Sequence, residues 1–326
     1  MKGLTPRRFG IGCAALTAAF LMPLLALQAQ GNLPLRSGAW RGDGLALTLG
    51  GLQGVCLFDL SQNPPQQSGY LQETPFDSGG ISTLAWSSDG TRLAVARYDG
   101  VISVWDLQTQ RKIAVMRGHI GSVNGVAFSP DGTLLASGGD DSLLRLWDAA
   151  TGALNGALPK HRSRIQAIAF QPDGAQVISG GVDNLALLWI VATGESRANP
   201  QPHGGPINAF APKPDGTLYL TGSSDTTVRV FGPNGAPQNT LRGHKTPVIA
   251  VGWRGDQVIS ASLDGEIITW EGETILTRST LRNPPVHLVF SPEGTRALLI
   301  GISRTAQIIS LSEGAILTDI TCTEQP

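Results

Sequence analysis

The amino-acid sequence predicts an all-β fold, a seven-bladed β-propeller of four-stranded antiparallel blades, and three observations in register predict it. The turn sequences Ser-Ser-Asp89-Gly90, Ser-Pro-Asp131-Gly132, Gln-Pro-Asp173-Gly174 and Lys-Pro-Asp215-Gly216 recur at a step of 42 residues. Trp105, Trp147 and Trp189 keep the same step, with Phe231 next in line, and so do His119, His161 and His203. Apolar alternation of period two, broken by Gly, Asp and Pro, fills the intervals and marks antiparallel strands. Four short strands in a period of this length form a propeller blade. A lone blade would leave both faces bare, so neighbouring blades must stack and the ring must close.

Taken in chain order, residues 1–29 stand apart from the repeat. Lys2, Arg7 and Arg8 precede an apolar run over 9–29 that ends among small residues, with Ala29 as the expected last residue before cleavage. Basic start, apolar middle and small residue at the cut are the order of a secretory signal peptide. An uncleaved anchor is the other reading, since about 20 apolar residues span a bilayer; Pro23 inside the run weakens it as a long helix. Both readings place the remainder in an extracytoplasmic compartment, periplasmic or secreted, because the basic end stays inside. Residues 30–34 form a short linker, 35–321 the propeller and 322–326 a C-terminal tail.

Seven units are counted, at about 35–75, 76–116, 117–158, 159–200, 201–241, 242–280 and 281–321, with six or eight blades as the margin because the first and last are degenerate. Terminal repeats depart from the pattern because they meet each other rather than a standard neighbour. In the third unit the pattern predicts strands over 122–128, 134–137, 143–147 and 153–158, with turns at 129–132 and 138–142. The pairs Gly79-Gly80 and Gly138-Gly139 are read as turn residues.

The third unit carries Arg117-Gly118-His119, Ser137, Asp141 and Leu146-Trp147-Asp148, and Trp105-Asp106 repeats the last pair one unit earlier. On these residues the chain resembles the WD-repeat family over nearly all of 35–321. The resemblance implies that a His, a Ser or Thr, an Asp and a Trp form one hydrogen-bonded group in each blade. Carried over, the sets are His119, Ser137, Asp141, Trp147; His161, Ser179, Asp183, Trp189; and His244, Ser260, Asp264, Trp270. The fifth unit has His203, Thr221 and Asp225, but Phe231 lacks an indole donor, and the second keeps only Asp99 and Trp105. The linkage satisfies half-buried polar groups that would each cost about 1–3 kcal/mol unpaired.

Four of the five histidines belong to these copies, and only His287 lies outside them. A Ser-His-Asp hydrolase would use the same residue types, but catalytic groups occur once, in a cleft. The chain is therefore expected to be no enzyme, with no cofactor and no metal site. A net charge of −1 without a cluster of Lys and Arg argues against nucleic acid as partner. No membrane association is expected beyond the N-terminal segment. The resemblance implies a scaffold or adaptor for protein partners, with contacts from the narrow face of the ring. The residues expected there are Tyr98, Ser122, Asn124, Asp140, Arg162, Arg164, Gln166, Asn208 and Lys245, of which Tyr98, Arg162 and Arg164 are of the types that anchor interfaces. A propeller binding a small ligand or sugar in its central channel, or acting there as an enzyme, is the alternative. Cys56 and Cys322, 266 positions apart, fall in units that a closed ring makes neighbours. An oxidising compartment permits a disulfide between them, and two unconnected thiols are the other reading.

Overall fold

The computed structural model describes residues 35–73, 80–199, 202–301, 305–312 and 315–323; the predicted signal peptide and the whole of the linker lie outside them. Among the described residues, twenty-eight strands build seven four-stranded antiparallel sheets, and each sheet takes its strands from consecutive elements of the chain. Blade 1 runs over 37–72, blade 2 over 81–116, blade 3 over 123–159 and blade 4 over 165–198. Blades 5, 6 and 7 follow over 207–242, 248–280 and 285–320. The seven units counted along the sequence are thus the seven blades.

Blade 3 shows why the sequence folds this way. Its strands are β9 (Val123–Phe128), β10 (Leu134–Gly139), β11 (Leu143–Asp148) and β12 (Leu154–Pro159), the earlier blades holding β1 to β8. The turn after β9 closes because Ser129 Oγ donates to Asp131 Oδ1 at 2.6 Å and accepts from the Leu134 N–H, while Asp131 accepts the Thr133 N–H. Short polar side chains that bond their own backbone favour turns over continued strand. The two central strands of the blade are buried almost throughout, whereas β12 alternates toward solvent at the rim.

One predicted boundary is corrected. Gly138 and Gly139 are the last residues of β10 rather than part of the turn. A Cβ on Gly138 would stand 2.7 Å from Ile165 Cγ2 of blade 4, and one on Gly139 would collide with the Ser122 carbonyl. Close approach of the next blade and of the neighbouring strand therefore selects glycine here, an effect that local turn chemistry does not reveal.

Because no blade borrows a strand from another, the ring closes by contact between blades 1 and 7. Trp40, Leu47 and Leu49 pack with Leu298, Ile300 and Ile308 in one buried cluster. The Trp40 indole N–H donates to the Val289 carbonyl at 3.1 Å, and an Arg296 guanidinium N–H to the Gly44 carbonyl at 2.8 Å. His287, on the first strand of blade 7, contacts the Gly38 carbonyl through Nε2 at 3.3 Å; burial pushes its pKa down, partly opposed by that carbonyl. At the rim, Cys56 and Cys322 form a disulfide with Cα atoms 5.8 Å apart, and Gln67 donates to the Thr323 carbonyl beside it.

Candidate interaction face

The polar sets of the blades are the first constellation to place. In blade 3 the His119 Nδ1–H donates to Asp141 at 3.0 Å, Ser137 Oγ donates to Nε2 at 2.7 Å, and the Trp147 indole N–H donates to Ser137 Oγ at 2.7 Å. Blade 4 repeats it with His161, Asp183, Ser179 and Trp189 at 2.8, 2.7 and 2.7 Å. Burial alone would raise the Asp141 pKa, but hydrogen bonds from Arg145 and His119 outweigh it and hold the carboxyl below its usual range. Asp183 is lowered in the same way, against burial, by His161 and the Arg162 N–H. Burial pushes His119 down, opposed by Asp141. In blade 5 the set ends at Thr221, 2.6 Å from His203 Nε2, while Asp225 takes the Nδ1–H at 2.8 Å. Phe231 stacks on Tyr219 instead, centroids 5.3 Å apart.

Blade 6 departs from expectation. His244, Ser260 and Trp270 keep the chain at 2.7 and 2.8 Å, but Asp264 is not its end. Glu266 takes that place, with Oε2 3.2 Å from His244 Nδ1 and its other oxygen bound by Arg278. His244 Nδ1 and Glu266 Oε2 make no hydrogen bond, so the two groups stand in contact without closing the polar chain. Asp264 is drawn away because the Ser262 hydroxyl donates to it at 2.7 Å, where blades 3 and 4 carry Gly139 and Gly181. In blade 2, the residue missed by sequence reasoning is Glu73. It is buried and accepts from the Trp105 indole at 2.6 Å, from Ser103 Oγ and from Lys112 at 2.9 Å, with Arg97 at 3.6 Å. Val95 occupies the position of Ser137, so no hydroxyl is available and a carboxylate from the end of blade 1 meets the indole.

These sets resemble a catalytic triad in composition only. Ser137 and Ser179 are wholly buried, and each hydroxyl oxygen already accepts an indole N–H. A nucleophile needs an accessible oxygen and a free lone pair aimed at substrate. The group instead ties the loop entering blades 3, 4 and 6 to the second and third strands of each.

The second constellation lies at the channel mouth. Strands alternate in direction, so the turns joining second to third strands share one end of the ring with the links between blades. A depression of about 510 Å³ opens there, lined by Tyr98, Ser122, Asn124 and Asp140 and by Arg164, Gln166 and Asn208. Seven of the nine residues predicted for this face are thus brought together. Arg162 and Lys245, each directly after a blade histidine, are exposed and do not line it.

A repeated backbone feature positions the lining. In blades 2 to 7 the pairing of first and second strands slips at the second residue of the first strand, leaving Ser82, Asn124, Gln166, Asn208, Ile249 and Val286 unpaired. Such a bulge re-aims a side chain out of the pleat. Asn124 Nδ2 then reaches the Ile165 carbonyl at 3.1 Å and Asn208 Nδ2 the Val248 carbonyl at 2.8 Å, each on the next blade, and Ser82 reaches the Val123 carbonyl likewise. Blades 2 to 5 present polar groups at this position and blades 6 and 7 apolar ones, with Val286 61% exposed.

Residues 80–325, blades 2 to 7 and about three quarters of the chain, match the family model described as IFT122 first beta-propeller, a propeller of the WD-repeat type. The chain belongs to that family. No curated protein matches it. The matched span begins at Gly80, immediately before blade 2, so the part left out includes blade 1, whose polar set is missing and whose first strand has no bulge. In this IFT122-type propeller the polar sets of blades 3 and 4 repeat, whereas the bulge positions at the mouth change from polar in blades 2 to 5 to apolar in blades 6 and 7.

Proposed function

We propose that this IFT122-type propeller is a non-catalytic scaffold that holds a protein partner at the channel mouth, in an extracytoplasmic compartment. The observation that carries the reading is the mouth itself: side chains from blades 2 to 5 converge on one open depression, and the polar sets of blades 3 and 4 are closed on themselves. Tyr98 is 40% exposed and sits among amides and an arginine, the mixture that anchors protein interfaces. A rigid ring presents such groups without an ordering cost on binding. The Cys56–Cys322 disulfide and the basic-then-apolar order of residues 1–29 support the compartment.

The experiment places a photo-crosslinking amino acid at Tyr98 and, as control, at Leu154 on the outer strand of blade 3. Capture of a discrete protein from position 98 and not from 154 is expected. Equal capture at both positions, or none at 98, would reject the reading. Mass spectrometry of the mature chain, with the N-terminus expected after Ala29, tests the compartment.

A further inference from the structure

We infer that the segment held at the mouth is acidic, with its carboxylates taken by Arg164 and Arg36 from two sides of the channel; this rests on the interaction-face reading above. Arg36 immediately precedes the first strand of blade 1, as Arg164 precedes that of blade 4 and Ser122 that of blade 3. Because the first strand of blade 1 is the shorter, counting back from the Asp43-Gly44 and Asp173-Gly174 turns sets Arg36 level with Gln166, which lines the depression from a blade across the ring. Arg164 lines the depression, and the Arg36 guanidinium lies 5.4 Å over the ring of Tyr98, which also lines it.

The charges at the mouth do not balance. Among the described residues neither Arg36 nor Arg164 has a carboxylate partner, and the Arg36 Nε–H is buried without an acceptor. Asp140 is the one carboxylate among the lining residues, and it already accepts from Asn124 Nδ2 at 3.0 Å and from the Ser122 N–H at 3.3 Å. Of the other carboxylates in the turns at this end, Asp99, Asp141 and Asp225 are paired with Arg97, Arg145 and Arg229, and Asp183 and Asp264 accept hydrogen bonds from the Arg162 N–H and the Ser262 hydroxyl. Arg162 and Lys245, exposed in the links at the same end of the ring, add two more cations without carboxylate partners among the described residues. A guanidinium presents a planar fork that matches a carboxylate, so unpaired arginines around a polar bowl select an anionic chain. Asn208 and Gln166 offer amides beside it, and Gln166 Oε1 is buried with no donor, matching a backbone N–H of a bound segment.

The test uses fluorescein-labelled decapeptides of glutamate, of lysine and of alternating glycine and serine, together with a ten-nucleotide oligo-dT, titrated into the purified chain. The glutamate peptide is expected to bind in preference to the other three, more weakly as salt is raised. Arg164→Gln should weaken it about tenfold and Arg36→Gln with Arg164→Gln about a hundredfold, the size of one and two lost charge-assisted bonds. Arg111→Gln, on the outer strand of blade 2, should leave it unchanged, and unaltered melting of all variants shows that the fold is intact. Equal affinity for the neutral peptide, no response to Arg164→Gln, or tighter binding of oligo-dT would overturn the inference. Crosslinking from position 98 in parallel separates the two readings. Capture that persists while the peptide series shows no charge preference removes the acidic segment and leaves the scaffold.

Discussion

Blades 3 and 4 and the pair formed by blades 1 and 2 perform the same structural task with different chemistry. In blades 3 and 4 a neutral hydroxyl stands between imidazole and indole, and the carboxylate sits at the edge of the loop. In blade 2 the carboxylate of Glu73 comes from the end of blade 1, enters the interior, meets the indole directly and is balanced by Lys112 and Arg97. What is retained is satisfaction of a buried indole N–H, not the identity of its acceptor. The ionic version carries more risk, because removing one member leaves uncompensated charge in a poor solvent for it.

The largest effect is therefore expected at Glu73. Glu73→Ala should cost about 3–5 kcal/mol by stranding Lys112 and the Trp105 indole, read as the loss of denaturation midpoint; a cost no greater than that of Asp141→Ala would break the contrast. Next comes ring closure. Cys322→Ser should cost about 2–5 kcal/mol in the range seen for lost native disulfides, measured against the oxidised wild type, and a reductant should destabilise the wild type but not the variant. The neutral set follows. Asp141→Ala should cost about 2–3 kcal/mol as a broken buried network, whereas Asp264→Ala should cost under about 1 kcal/mol because its partners are a turn serine and an exposed backbone. Equal melting temperatures for these two variants would contradict the exchange of Asp264 for Glu266.

The smallest expected effect is on pH dependence. His119 and His244 have folded-state pKa values lowered chiefly by burial, so they fold in the neutral form. The unfolded chain then binds more protons, and stability is fully present above about pH 6.5 and is lost as pH falls below it toward the folded values. Asp141 and Asp183, also lowered, contribute above about pH 4 and lose their contribution as pH falls through their folded values. Melting temperature should thus fall in two stages on acidification. His119→Gln should shrink the first stage, and Asp183→Asn should shrink the second; a single stage below pH 4 would show that the histidines are not held neutral.

Much of the fold was legible because a repeat reports its own register. Asp131, Trp147 and His119 each recur at one step, so blade number, strand order and most polar sets follow from counting along the chain. Gly138-Gly139 were misread because the pressure on them comes from Ile165 of another blade and from the Ser122 carbonyl of the neighbouring strand, not from the local turn. Glu73 and Glu266 were missed for a related reason. Nothing in their immediate sequence distinguishes a buried carboxylate from a solvated one, and only proximity to Trp105 or His244 gives them a role. Arg36 went unnoticed because blade 1 lacks the histidine and tryptophan markers, although it stands level with Gln166 once the Asp43-Gly44 and Asp173-Gly174 turns are aligned.

By itself the sequence determined the period, and with it the all-β blades and the supports inside them, since both depend on groups separated by short, constant distances along the chain. The tertiary structure alone decided how the ring closes, which acceptor each indole meets and which side chains share the mouth. Those outcomes depend on groups brought together from different blades, where distance in space is unrelated to distance in sequence.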